Sequence, residues 1–242
     1  MTPLVMVHGF MGGSAQWAGE VAQLSQIREV IALDLPGFGA NNHLAPIDTI
    51  GGFADWMIAE LNSRGVQVFD LLGHSMGGMI VQEMARKAPD RIKKFVLYAT
   101  GAKGVLPGRF ETIAESKMRA RSDGAQATAR RIAATWFQHR EEAVGYARCA
   151  AIAEHASLEA ILAGLDAMQN WSGETELCNF TQETLVIWGD RDRTYAWEQT
   201  ALLWRTIQKA QLAVVPGCAH AIHLEKPKLF AALLRDYLEQ EA

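Results

Sequence analysis

Residues 70–80 read DLLGHSMGGMI, which sets a single serine, Ser75, among glycines between two apolar stretches. The run before it, Val66 to Leu72, is short and apolar, as a buried strand is. The run after it, Met76 to Ala88, carries apolar residues at helical spacing. A chain that turns from strand to helix at one residue forces that residue into a strained backbone region, and side chains two positions away on either side would strike neighbouring backbone. That is a reason for Gly73 and Gly77, and the corner pushes the Ser75 hydroxyl out to the sheet edge at the positive end of a helix. Residues 73–77, GHSMG, fit the G-x-S-x-G pattern of a nucleophile elbow, although a glycine-flanked turn also serves packing alone.

Outward from this corner, short apolar runs recur at Leu4–Val7, Val30–Leu33, Phe95–Tyr98, Thr184–Trp188 and Leu212–Val215. Helical patterns, such as Ile50–Asn62 and Pro227–Leu238, lie between or after them. Strands that are apolar on both faces and joined by helical crossovers predict an α/β fold, a mostly parallel sheet flanked by helices. The alternation breaks between Lys103 and Phe180, where only helical patterns occur. One of these, Gly124–His139, carries a stripe of Ile132, Ala133, Trp136 and Phe137. The expected organisation is a core of residues 1–102 and 181–242 with a helical cap, or lid, of residues 103–180 over the strand ends, where open α/β sheets bind ligands. Trp136 and Phe137 are the cap residues expected to bind substrate.

At 242 residues, with 49% apolar and 21% charged side chains, the chain suits one large globular domain. A net charge of -4 offers no basic field for nucleic acid, so a small molecule is the expected partner. Charge within the cap is uneven: Lys103–Arg140 holds eight Lys or Arg against three acids, and Glu141–Phe180 one Arg against seven acids. The basic half either helps to attract an anionic substrate or belongs to solvated helix faces paired with each other. Cys149, Cys178 and Cys218 are odd in number and widely spaced, which predicts reduced thiols in a cytoplasmic protein. The opening MTPLVMVHGF reads as neither a secretory signal nor a membrane span. The sequence carries no signal for oligomeric state.

A serine hydroxyl is a weak nucleophile near neutral pH and requires a base, which in turn requires an orienting acid. The stretch VVPGCAHAIHLEKP places His220 in a loop after a strand and before the last helix, and LVIWGDRDRTY places Asp190 and Asp192 after the preceding strand. His8, His74 and His223 have no metal-ligand spacing, so core or turn hydrogen bonding is expected of them and no metal is assigned. Cys218 has no base arranged for it and reads as a small buried thiol.

With HGF, DLPGFG, GHSMGG, GDRD and GCAHAIHLEKP in this order, the chain resembles the α/β-hydrolase fold over nearly its whole length. The resemblance implies a catalytic triad of Ser75, Asp192 and His220. The family's G-x-x-D spacing selects Asp192 over Asp190, and the alternative acid position after the earlier strand reads YATGA, without a carboxylate. It also implies an oxyanion hole from the backbone N–H groups of Phe10 and Met76, each worth roughly 3–4 kcal/mol of barrier lowering. A serine, rather than an aspartate, at the elbow implies acyl transfer from a carboxylic ester or lactone without a cofactor. The short chain and its cap look most like the 3-oxoadipate enol-lactonases, with carboxylesterases equally compatible with the motifs. Meta-cleavage-product hydrolases, which break C–C bonds, often show a GPG turn and a tryptophan after the histidine, where this chain has Met11-Gly12-Gly13 and Ala221. Haloperoxidase-like esterases share the triad, and hydrolase-fold receptors with little turnover form a non-enzymatic alternative.

Overall fold

The computed structural model describes residues 1–106 and 111–240. Six strands, β1 (Leu4–Val7), β2 (Val30–Leu33), β3 (Phe69–His74), β4 (Ile92–Tyr98), β5 (Glu183–Gly189) and β6 (Ala210–Val215), form one sheet in the order β2-β1-β3-β4-β5-β6. Every neighbouring pair is parallel, with registers such as Met6 to Leu72, Gly73 to Leu97 and Ile187 to Ala213. Parallel strands need crossovers, and the helices α1 (Ala18–Leu24), α2 (Ile50–Ser63), α3 (Met76–Lys87), then α4 (Ile113–Asp123), α5 (Ala125–Thr135), α6 (Tyr146–Ala153), α7 (Leu158–Gln169), α8 (Trp197–Thr206), α9 (Ile222–Glu225) and α10 (Pro227–Glu239) complete the chain.

Both sheet faces are apolar because each is covered. Val5, Val7, Leu71 and Leu97 face α2 and α3 through Phe53, Met57, Met79 and Met84, all fully buried. Their alternate neighbours Leu4, Met6, Leu72 and Val96 face α1 and α10 through Leu24, Phe230 and Leu234. Burying each such side chain contributes about 1.5–3 kcal/mol. The alternation is the two-residue period of a strand read on both faces.

Strand β3 begins at Phe69, three residues later than the apolar run suggests. The Val66 N–H bonds back to the Leu61 carbonyl, and the Arg91 guanidinium takes the carbonyls of Val66 and Gln67, so these groups do not enter the ladder. The strand instead extends to His74, paired with Tyr98.

Between β4 and β5 the regular elements among the described residues are helices and short 3-10 turns, joined by loops, with one bridge between Lys103 and Ser172. Helix α5 ends at Thr135, short of the predicted His139. The next N–H groups turn inward, Trp136 to the Ala133 carbonyl at 3.2 Å and Phe137 to the Ala134 carbonyl at 3.4 Å. The helical stripe therefore stops before its two aromatic members. The uneven charges of this segment meet one another: Lys103 pairs with Glu174, Lys117 with Asp166, Arg119 and Arg131 with Glu111, and Arg130 with Glu154. These contacts favour the pairing alternative, although Arg121 and Arg140 form no ion pair among the described residues. Arg109, which belongs to the basic half, lies outside the described residues.

Candidate active site

Ser75 sits at the end of β3 and caps α3 with φ 57° and ψ −121°, a conformation that costs a non-glycine residue about 1–3 kcal/mol. Three hydrogen bonds hold it there: its N–H donates to the Tyr98 carbonyl at 3.0 Å, and its carbonyl accepts from the Gly78 N–H at 2.8 Å and the Thr100 hydroxyl at 2.7 Å. The glycines around it are contact positions. A Cβ on Gly73 would strike the Gly77 carbonyl, one on Gly77 would meet the Val7 carbonyl and lie 2.5 Å from that of His8, and one on Gly78 would strike the Thr100 side chain.

The loop after β1 lies against this corner. A Cβ on Gly9 would stand 2.9 Å from that of Ser75 and 3.2 Å from the His74 carbonyl, so only glycine lets the backbone before Phe10 come this close. The loop is held by Asp34, whose carboxylate accepts from the Ser14 N–H and hydroxyl, each at 2.8 Å. His8 donates from Nδ1 to the Gly9 carbonyl at 2.8 Å and accepts the Leu35 N–H at Nε2 at 3.0 Å, and burial lowers its pKa, which keeps it neutral. Met76 is the first residue of α3, so the helix supplies no partner for its N–H.

The loop after β6 carries His220, and the loop after β5 carries Asp192; both side chains are almost wholly buried. His220 Nδ1 and Asp192 Oδ2 are 2.8 Å apart. The other oxygen, Oδ1, accepts the N–H groups of Thr194 at 2.7 Å and Tyr195 at 3.2 Å, which fixes the carboxylate plane. Asp190 is turned elsewhere and accepts the Gly217 N–H at 2.6 Å. The structure thus places Asp192, not Asp190, against the histidine.

Of the groups around His220, His74 and His223 take the core hydrogen-bonding role expected of them, whereas Tyr98, Tyr195 and Glu225 have no signature in the sequence. The Tyr195 ring stacks parallel to the imidazole at 5.7 Å, and the His74 ring lies 4.6 Å away and donates from Nε2 to the His220 carbonyl at 3.1 Å. The Tyr98 hydroxyl contacts the same carbonyl and His223 Nδ1. Burial, with His220 close by, holds His74 well below the ordinary histidine pKa and His223 at about 3, so both are neutral structural rings. Glu225 accepts the N–H groups of Ala219 at 2.6 Å and Gln138 at 2.7 Å, and the Trp136 carbonyl accepts the Ala221 N–H at 2.9 Å. These bonds tie the histidine loop to the turn after α5.

Ser75 and His220 open onto one cavity of about 450 Å³, part of it open to solvent. Phe10 and Tyr195 line its sheet side, and Leu106, Ile132, Trp136 and Met168 its helical side. None of the described residues that line it is a Lys, Arg, Asp or Glu. Trp136 thus stands on the wall of the cavity that Ser75 opens onto. Phe137 is not among the residues of that wall: it is fully buried against Gly145 and faces a separate depression with Leu224 and Glu225. Past the end of α5 the chain no longer presents neighbouring side chains to one face, so the substrate-binding role expected for Phe137 is corrected to packing.

Among the described residues no three His, Cys, Asp or Glu side chains are grouped to hold a metal ion, and no helix is long and apolar enough to cross a membrane. Burial pushes the thiols of Cys149 to about 12 and Cys218 to about 11, which leaves both poor nucleophiles.

A family model described as the alpha/beta hydrolase fold matches residues 2–227. The 2-hydroxymuconate semialdehyde hydrolase of Pseudomonas putida is 28% identical, over 98% of this chain and 87% of its own length. The pimeloyl-[acyl-carrier protein] methyl ester esterase of Yersinia enterocolitica is 24% identical, over 98% of this chain and 93% of its own. Among solved structures, the enol-lactonase from Burkholderia xenovorans LB400 superposes with a TM-score of 0.89 at 24% identity, over 99% of this chain and 92% of that one.

Proposed function

Since the chain belongs to the alpha/beta hydrolase fold family and is a hydrolase, we propose that it cleaves a small, uncharged carboxylic ester or lactone through an acyl-enzyme on Ser75. The observation that carries this reading is the opening of Ser75 and His220 onto one cavity, with Asp192 2.8 Å behind the histidine. Ser75 Oγ attacks the carbonyl carbon while His220 Nε2 takes its proton. Asp192 holds the Nδ1–H tautomer and stabilises the imidazolium. The developing oxyanion is held by the N–H groups of Phe10 and Met76, the second at the positive end of α3. The protonated His220 then hands its proton to the departing alkoxide or enolate, and water completes hydrolysis.

The helical segment 103–180 acts as the cap that supplies the apolar wall. That wall and the mutual pairing of the cap's charges favour an uncharged acyl group over a carboxylate-bearing lactone of the 3-oxoadipate type. A second reading, hydrolysis of a C–C bond, draws on the 28% identity to the 2-hydroxymuconate semialdehyde hydrolase.

A panel of p-nitrophenyl esters, neutral lactones, carboxylate-bearing lactones and 2-hydroxymuconate semialdehyde separates these readings when the parent is run beside Ser75→Ala. Turnover of short neutral esters or lactones that disappears in the variant is expected. Preference for the semialdehyde or for anionic lactones would refute the substrate assignment. No Ser75-dependent turnover of any member would point to a binding protein.

A further inference from the structure

Ser75 and His220 also border a second, smaller chamber of about 170 Å³, part of it open to solvent, whose other walls include Gly9, Gly12, Gln16 and His74. It shares Phe10, Ser75, Trp136 and His220 with the apolar cavity but differs in chemistry. Gln16 and His74 are each 3% exposed, and Gln16 Nε2 and His74 Nδ1 have no hydrogen-bond partner. Buried polar atoms in folded proteins are normally paired with protein or with ordered water. Both residues line the same chamber and each carries an orphan polar atom, which points to a shared polar occupant.

The roles of the two atoms are complementary. A carbonyl can only accept, so the 3.1 Å contact of His74 Nε2 with the His220 carbonyl puts the imidazole proton on Nε2 and leaves Nδ1 as an acceptor. The Gln16 amide nitrogen is a donor. Gly12 makes room for this amide, since a Cβ there would lie 2.5 Å from Gln16 Oε1.

We propose that this chamber holds the deacylating water, with Gln16 as the positioning residue that donates to the water oxygen and His74 Nδ1 as the acceptor of one of its protons. The inference rests on the acyl-enzyme reading given above. Once the alcohol has left, the water moves against the acyl carbonyl carbon and His220 Nε2 takes its second proton as the C–O bond forms. The tetrahedral oxyanion collapses, the bond from carbon to Ser75 Oγ breaks, and His220 returns the proton to Oγ. The carboxylic acid leaves with a free Ser75. Acylation uses Ser75, His220 and the Phe10 N–H from these walls but consumes no water, so Gln16 bears on the second half-reaction alone.

The test is stopped-flow release of p-nitrophenolate from p-nitrophenyl butyrate by the full chain and by Gln16→Met, with and without added methanol. The burst counts competent Ser75 sites and so separates misfolding from slow chemistry, and Gln16→Asn serves as a second, milder variant. The expected result is an unchanged burst rate, a steady-state rate roughly tenfold lower, the worth of about one hydrogen bond, and more methyl ester formed per acid. Burst and steady state falling together would overturn the proposal, as would an unchanged product ratio. A changed preference for the leaving alcohol at an unchanged deacylation rate would assign the chamber to the leaving group instead. A parent protein without Ser75-dependent release would overturn the esterase reading itself, and this inference with it.

Discussion

Replacing Asp192 by Asn exchanges one carboxylate oxygen for an NH₂ group, and the neighbours of the side chain decide which oxygen is lost. The carboxylate uses one oxygen for His220 Nδ1 and the other for the N–H groups of Thr194 and Tyr195. In the amide, the oxygen stays with those two donors, so the NH₂ faces Nδ1. Nδ1 must then give up its proton to become an acceptor, and Nε2 carries the proton on the side where Ser75 needs a base. The opposite amide orientation would set the NH₂ against two backbone donors, each left unpaired at about 1–3 kcal/mol. In a comparable Ser-His-Asp arrangement the same change lowers kcat about 10⁴-fold, which at about 1.4 kcal/mol per decade is roughly 5–6 kcal/mol of barrier. Asp190→Asn alters a partly exposed carboxylate bonded to the Gly217 N–H, worth at most about 1 kcal/mol and thus about fivefold in rate. The assay is kcat/KM on a short p-nitrophenyl ester, with circular dichroism as the check on folding. A folded Asp192→Asn within about tenfold of the parent, or an equal loss in Asp190→Asn, would refute the assignment of the acid.

Gly77→Ala forces a methyl group onto the carbonyls of Val7 and His8, which belong to backbone that cannot swing aside. A loss of about 3 kcal/mol in urea unfolding is expected, and a loss below about 1 kcal/mol would contradict the close approach of α3 to β1. Glu20 is almost fully buried, and burial raises its pKa to about 7 from the ordinary 4.5. The folded state therefore keeps a proton that the unfolded state has released, and this group removes up to about 3 kcal/mol of stability as pH rises from 4.5 through 7. Glu20→Gln should flatten the decline between pH 5 and 8 relative to the parent, and equal slopes for the two proteins would oppose the reasoning. Trp136→Ala opens the helical wall of the cavity, so the optimum of a p-nitrophenyl acetate-to-octanoate series moves to longer chains at some cost in Tm. An unchanged profile would take Trp136 out of the acyl pocket.

The sheet and the corner at Ser75 are legible in the sequence because they rest on local physics: two-faced apolar runs, a glycine on either side of the serine, and short loops at strand ends. The histidine and the carboxylates are legible for the same reason, since each follows a strand directly. The start of β3 is not, because Val66 is withdrawn from the ladder by Leu61 and by Arg91, which lies 25 residues further along the chain. Periodicity misplaces Phe137 because a helical pattern says nothing past the residue where the helix ends. The layers beneath His220 are invisible in their roles. Tyr98, Tyr195 and Glu225 look like ordinary strand, loop and helix residues, and the hydrogen bond expected of His74 has no visible partner, until the fold brings together segments as much as 146 residues apart. The charge pairs of the cap are of the same kind: composition gives their signs, and only the packing of α4, α5, α6 and α7 gives their partners.

The most direct test of the central claim is covalent capture of the nucleophile. Incubation of the full chain with a fluorophosphonate, which transfers its phosphonyl group to an activated serine, leads into intact-mass and peptide mass spectrometry. The expected result is one adduct per chain on the peptide that contains Ser75, none in Ser75→Ala, and a much slower reaction in Asp192→Asn. Labelling that persists in Ser75→Ala, or a folded parent protein that stays unlabelled, would contradict Ser75 as the activated nucleophile.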